Sequence, residues 1–114
     1  MRKKFTVLYV AGSVLMRVYV GSILTKRGYN VVAHKSIEEG REYLEQHDEE
    51  IDIVVCGCLE DDGKWVKELK ERDKKVLVLH TTSVTGIPFV STSIMARRGY
   101  AEQLPVTVSK MLAA

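Results

Sequence analysis

The sequence has few cysteines and no long apolar run. A single residue separates its two cysteines, Cys56 and Cys58, and the rise of a strand keeps two such positions too far apart for the relaxed geometry of a disulfide. This excludes a disulfide-built scaffold and predicts a reducing, cytoplasmic setting. No apolar run approaches the ~20 residues of a membrane-spanning helix. The basic start of the chain leads into a strand-like run, so neither a signal peptide nor a membrane partner is expected.

The chain also lacks an excess of one charge. Its 17 basic and 15 acidic residues give a net charge of +2. Nucleic-acid binding requires a stripe of cations, whereas the dense basic spots here are only Arg2–Lys4 and Arg97–Arg98. No nucleic-acid partner is therefore expected. With 46% hydrophobic and 28% charged residues in 114 positions, residues 1–114 are predicted to form a single globular domain.

Strand-like and helix-like segments alternate along the chain. This order predicts an α/β fold of the flavodoxin-like, doubly wound type, with a five-stranded parallel sheet of order 2-1-3-4-5. Only residues 81–86 separate the last two strands, so the fourth helix is expected to be shortened or absent. Pro88 indicates an edge position for the fifth strand, and Pro105 is expected in the first turn of the last helix. The predicted strands are 5–10, 30–33, 51–56, 76–79 and 87–91, and the predicted helices are 13–26, 36–47, 64–72 and a last one from about 102.

Within the first predicted helix, apolar residues recur at the spacing of one buried face. Met16, Val20, Ile23 and Leu24 form this stripe, which predicts packing of the helix against the sheet. Ser36, with Glu39 three residues later, is typical of a helix start and predicts the beginning of the second helix.

Ligands of such sheets bind beyond the carboxyl ends of the strands. Gly12 and Ser13 begin a helix there, and with Thr81 they form a candidate anion site, although Ser13 could simply cap the helix. Cys56, Cys58 and His80 carry thiol and imidazole groups and form a candidate metal or reactive-thiol site. The Cys-x-Cys spacing is unusual for zinc ligands, and ordinary packing of the cysteines is the alternative.

Four stretches resemble, over nearly the whole chain, the receiver domain of bacterial response regulators. They are VLYVAGSVLMRVYVGSILTKRGYNVVAHKSIEEGREYL, DIVVCGCLEDDG, KVLVLH and IPFVS. The resemblance implies the fold predicted above and a phosphorylation pocket at the carboxyl edge of the sheet. The residues that carry the chemistry of receivers differ here. Ala11 and Gly12 replace the two acidic residues, Gly57 the phospho-acceptor aspartate, His80 the hydroxyl residue and Ser91 the lysine.

These differences remove the groups that phosphoryl transfer needs. Mg²⁺ requires several oxygen ligands, and a glycine has no side chain to accept a phosphoryl group. The resemblance therefore implies a degenerate pseudo-receiver that is not an enzyme and uses no Mg²⁺ or other cofactor. Its expected role is a phosphorylation-independent signalling or assembly module that binds another protein domain or itself.

The expected partner surface contains residue types that are enriched at interfaces. Its members are Ile94, Met95, Arg97, Arg98 and Tyr100. The alternative function is a sensor of a small ligand or anion at the carboxyl edge of the sheet.

Overall fold

A computed structural model describes residues 4–57, 63–80, 94–95 and 100–113 of the protein. Its strands form one parallel sheet of order β2-β1-β3-β4-β5. This confirms the predicted α/β fold class and strand order. The elements are β1 (Thr6–Val10), α1 (Val14–Lys26), β2 (Asn30–His34), α2 (Ile37–His47), β3 (Ile53–Cys56), α3 (Lys64–Glu71), β4 (Val76–His80), β5 (Ile94–Met95) and α4 (Tyr100–Ala113).

The end of the chain differs from the prediction. The fifth strand is Ile94–Met95, paired with the end of β4; the strand predicted at 87–91 and the connection at 81–86 lie outside the described residues. Helix α4 begins at Tyr100, so Pro105 lies inside it rather than in its first turn. Leu104 and Val108 are fully buried on either side of this proline. Their burial offsets the hydrogen bond that the proline removes.

The core consists of one apolar layer on each face of the sheet. Successive residues of a strand point to opposite faces, so Tyr9 and Leu8 of β1 belong to different layers. The first layer joins the sheet to α1 and α4, and the second joins it to α2 and α3. Strands β1 and β3 are buried on both faces, as their continuous apolar sequence predicts. The first layer is Val7, Tyr9, Ala11, Val20, Leu24, Ile53, Val55, Leu77, Leu104 and Val108.

Local hydrogen bonds fix where α1 and α2 begin. The Ser13 hydroxyl accepts a hydrogen bond from the Met16 N–H at 3.3 Å, and the Ser36 hydroxyl accepts one from the Glu39 N–H at 3.2 Å. Both serines therefore cap their helices, which confirms the predicted start of α2 at Ser36. Among the helices of the described ranges, none has the length and apolar character needed to cross a membrane.

Gly40 in α2 and Gly21 in α1 form a matched pair for a test of the packing. A Cβ at Gly40 would lie 2.6 Å from Val10 Cγ2 and 3.1 Å from Trp65 Cη2, whereas a Cβ at Gly21 would meet only Val31 Cγ1, at 4.0 Å. We expect Gly40→Ala to lower the free energy of unfolding by about 1–3 kcal/mol through overpacking. Gly21→Ala should raise it by about 0.5–1 kcal/mol, because alanine favours helix. Urea denaturation measures both; equal effects would contradict the close packing at Gly40.

Candidate functional site

The carboxyl edge of the sheet is held together by backbone hydrogen bonds. The Gly57 N–H donates to the Val10 carbonyl at 2.7 Å, and the Ala11 N–H donates to the His34 carbonyl at 3.1 Å. These bonds bring Gly57 beside the end of β1, next to Ala11 and Gly12, where the sequence places the degenerate pocket. Ala11 is buried, and Gly12 is exposed.

The described part of this edge offers no metal site. Within the residues that the structure describes, no group of three or more His, Cys, Asp or Glu side chains could hold a metal ion. Cys56 is fully buried in the second core layer, as the packing interpretation predicts. Cys58, Thr81 and Ser91 lie outside the described residues, and His80 is described only through its backbone in β4. Their assignment to a site therefore stays a prediction.

The Tyr9 side chain fills the space next to Gly57. Tyr9 is fully buried, and a Cβ built on Gly57 would lie 3.3 Å from Tyr9 Oη and 3.4 Å from Tyr9 Cε1. The same Cβ would lie 3.4 Å from the Val10 carbonyl oxygen. The contacts with Cε1 and with the carbonyl oxygen are ordinary van der Waals contacts, whereas the hydroxyl oxygen would have to move by a few tenths of an ångström. Glycine fits this position without any shift of the buried Tyr9 side chain.

The Tyr9 hydroxyl stays protonated at neutral pH. Burial raises the pKa of Tyr9, Cys56 shifts this pKa in the same direction, and the nearby Arg17 opposes them. The hydroxyl oxygen is buried and has no hydrogen-bond partner in the described ranges. A neutral phenol that is held in this way fills space; it does not act as an acid or a base near pH 7.

Arg17 places a positive charge beside the same edge. Its guanidinium Nη1 donates a hydrogen bond of 2.7 Å to the carbonyl oxygen of Ala11. Arg17 is partly buried, so solvent screens its charge less than that of an exposed arginine. A fixed cation at the end of β1 repels a divalent cation at the same place. The charge of Arg17 therefore disfavours Mg²⁺ binding at the described end of β1.

The candidate anion site at the start of α1 is partly used by the fold. The Ser13 hydroxyl caps the helix, which is the alternative that the sequence left open for this residue. Gly12 and Ser13 are exposed, and the third member of the candidate site, Thr81, lies outside the described ranges. The anion site therefore remains a prediction.

Sequence reasoning missed the outward side of α1. The predicted inward stripe is confirmed, because Val20 and Leu24 are buried and Met16 and Ile23 pack against the core. Four further apolar residues point into solvent, and Leu15 is 80% exposed. The available signal was that α1 is apolar on both sides and contains no acidic residue. We call this surface the α1 outer face; it consists of Val14, Leu15, Val18 and Tyr19.

Comparison with solved structures identifies the class of fold. A response regulator from Thermotoga maritima matches 98% of this chain and 100% of its own, with a TM-score of 0.76 and 23% sequence identity. A structure of the CheA3 P1 domain in complex with CheY6 from R. sphaeroides matches over 99% of this chain and 100% of that one, with a TM-score of 0.78 and 18% identity. A response regulator receiver protein from Sinorhizobium medicae WSM419 has a TM-score of 0.69 and 22% identity, over 98% of this chain and 97% of its own.

These matches show that the protein has the fold of a response-regulator receiver domain. No protein-family profile and no curated protein sequence matches the chain.

Removal of the Tyr9 hydroxyl tests the packing at the carboxyl edge. We expect Tyr9→Phe to leave the free energy of unfolding unchanged or to raise it by up to about 1 kcal/mol, because an unpaired buried hydroxyl is unfavourable. The matched control is Tyr29→Phe, which removes a hydrogen bond of 2.6 Å to the Ser109 hydroxyl and should cost about 0.5–1 kcal/mol.

The same pair of variants predicts a pH dependence. Because the pKa of Tyr9 is raised in the folded protein, the protonated hydroxyl contributes to folding stability. This contribution is fully present below the unfolded tyrosine pKa of about 10 and is lost as the pH rises above it. The free energy of unfolding of Tyr9→Phe should therefore exceed that of the wild type by a growing margin as the pH rises above about 10. Urea denaturation at a series of alkaline pH values measures this difference. A loss of more than about 1 kcal/mol in Tyr9→Phe near pH 7 would instead indicate that the hydroxyl has a partner.

Proposed function

We propose that this protein is a receiver-like signalling module that binds another protein and does not depend on phosphorylation. The observation that carries the proposal is the close packing of Tyr9 against Gly57, where an acceptor side chain would require the Tyr9 hydroxyl to shift. The side chains of Ala11 and Gly12 offer no oxygen ligand, and Arg17 adds a positive charge. In this proposal residues 1–114 act as one cytoplasmic domain without enzyme activity, and signal transmission depends on a fixed surface.

The α1 outer face is the proposed binding surface within the described ranges. Its apolar residues are accessible to a partner, and exposed apolar patches are typical of interaction sites. The charged residues of α1 are Arg17 and Lys26, both basic. This combination favours a partner domain whose apolar patch is bordered by carboxylates. Two similar solved structures are titled as complexes of CheY6 with the P1 domain of CheA3, which supports a protein as the partner class.

The surface predicted from the sequence remains a second proposed contact. Ile94 and Met95 form β5, paired with β4, and Tyr100 begins α4. Arg97 and Arg98 lie outside the described residues. Self-association through either surface is the competing possibility, and it can be measured separately.

Incubation with a phosphodonor tests the first half of the proposal. We expect acetyl phosphate with Mg²⁺ to leave the mass of the protein and the amide chemical shifts of Ala11 and Gly57 unchanged. Gly57→Asp should also remain unphosphorylated, because the added carboxylate lacks the oxygen ligands that would hold Mg²⁺ beside it. A receiver that does accept phosphate serves as the positive control. Phosphodonor-dependent shifts around Ser13, Gly57 and His80 would refute the proposal.

Substitution on the α1 outer face tests the second half. We expect Leu15→Ser with Val18→Ser to abolish the capture of a partner from a lysate of the native host. The melting temperature should stay close to that of the wild type, because Leu15 is 80% and Val18 63% exposed. The matched control is Val106→Ser on α4, where the side chain is 48% exposed, and it should retain capture. Undiminished capture by the double variant would exclude this surface. Sedimentation of the purified protein at several concentrations detects self-association.

A further inference from the structure

Strand β2 lies at one edge of the sheet. In the described part of the chain, no strand pairs with its outer side. The Asn30 N–H and the His34 carbonyl form their hydrogen bonds on the side of β1. Because backbone groups of successive residues in a strand point alternately to the two sides, Val31 and Ala33 direct their N–H and C=O groups outward.

The β2 edge carries none of the usual protection against strand pairing. Proteins commonly protect an exposed edge with charged residues, proline or a bulge. The strand sequence is NVVAH, and its register with β1 is regular over all five residues. An unprotected edge of this length can accept an extended segment of another chain through backbone hydrogen bonds.

A groove with a volume of about 530 Å³ runs along this edge between α1 and β2. Val31 and Ala33 line it from β2, and Val18 and Gly21 line it from α1. Gly21 lines the groove, and a Cβ there would meet only Val31 Cγ1, at 4.0 Å. Packing therefore does not require glycine at position 21, although a glycine inside a helix costs about 1 kcal/mol relative to alanine.

The charges of the groove indicate what it binds. Among the described residues that line it, the charged ones are Arg17 and Lys26, which lie about 13.5 Å apart along the helix axis. Four steps along an extended strand cover about 13 Å and return to the same face. An extended segment with carboxylates four residues apart therefore matches the axial separation of the two cations. Nine residues place Arg17 and Lys26 about half a turn apart around the helix, so the long, flexible side chain of Lys26 has to reach round α1 to the groove that it lines. The hydrogen bond of Arg17 to the Ala11 carbonyl uses one of the five N–H donors of its guanidinium.

We propose that the β2 edge and the adjoining groove bind an extended acidic segment of a partner protein. The segment adds to the sheet beside β2, places an apolar side chain against Val31 and Ala33, and directs two carboxylates toward Arg17 and Lys26. This inference rests on the proposed function in that the partner is a protein. A second copy of this chain would offer β2 itself, whose sequence NVVAH has no carboxylate for the two cations. The charges therefore favour a different chain.

The probe for this site is a capped, fluorescein-labelled peptide, Thr-Glu-Thr-Val-Thr-Glu-Thr. We expect saturable binding to the intact protein, with amide chemical-shift changes concentrated at Val31 and Ala33. Replacement of both glutamates by lysine should weaken binding about tenfold or more. N-methylation of the central peptide residues should do the same, because it removes the backbone donors that pair with β2 and keeps the side chains. Absence of binding, or equal binding of the N-methylated peptide, would overturn strand addition.

Two variants of the protein test the same contacts from the other side. Gly21→Met should fill the groove, and Ala33→Pro should remove an outward N–H while leaving the hydrogen bonds to β1 intact. Both should weaken peptide binding about tenfold or more with little change in melting temperature, whereas the control Gly21→Ala should keep binding. Full binding by both variants would contradict the site. If Ala33→Pro does not fold, the N-methylated peptide with wild-type protein decides the question.

Two further results separate this inference from the proposed function. Self-association that Ala33→Pro abolishes would identify a second copy as the occupant and would overturn the acidic segment. A peptide that does not bind, together with partner capture that still depends on Leu15 and Val18, would overturn strand addition alone.

Discussion

Tyr9 lies one residue before the end of β1, and its ring contacts the backbone at Gly57, just past the end of β3. The hydrogen bond from the Gly57 N–H to the Val10 carbonyl, at 2.7 Å, holds the two strand ends together. A side chain at position 57 would meet the ring within 3.4 Å, and the ring, which is fully buried, cannot move without disturbing a close-packed layer. This contact packs the end of β1 against the end of β3, at the edge where the receiver resemblance of the sequence implies a phosphorylation pocket.

The charged group at this edge bears on the binding of a divalent cation. A divalent cation in a protein is held by carboxylates that compensate its charge. Here the guanidinium of Arg17 lies beside the end of β1 and donates to the Ala11 carbonyl. The cationic side chain thus satisfies a backbone acceptor beside the neutral residues Ala11 and Gly12. In the proposed function, the charge of Arg17 therefore disfavours a divalent cation beside these neutral residues.

The sequence predicted most of what depends on local pattern. The apolar runs of β1 and β3 indicated central strands, and Ser36 with Glu39 indicated the start of α2. Two features of the structure could not be predicted from local sequence pattern. The contact of Tyr9 with Gly57 depends on the register of β1 with β3, although a large aromatic residue near one strand end and a glycine at the other gave a usable hint. The start of α4 depends on tertiary burial around Pro105, which local propensity does not contain.

Helix α1 connects the carboxyl edge of the sheet with the α1 outer face and with the groove beside β2. Its inward side is fixed by Val20 and Leu24 in the core, its start by the Ser13 cap, and its first turns by the hydrogen bond of Arg17 to the end of β1. Val18 belongs both to the α1 outer face and to the groove beside β2. A switch would require α1 to have two arrangements of similar free energy, whereas close packing around Tyr9 and Gly57 stabilises one. In the proposed function, a helix held at these points presents a fixed surface, and its recognition depends on its shape and on the charges of Arg17 and Lys26.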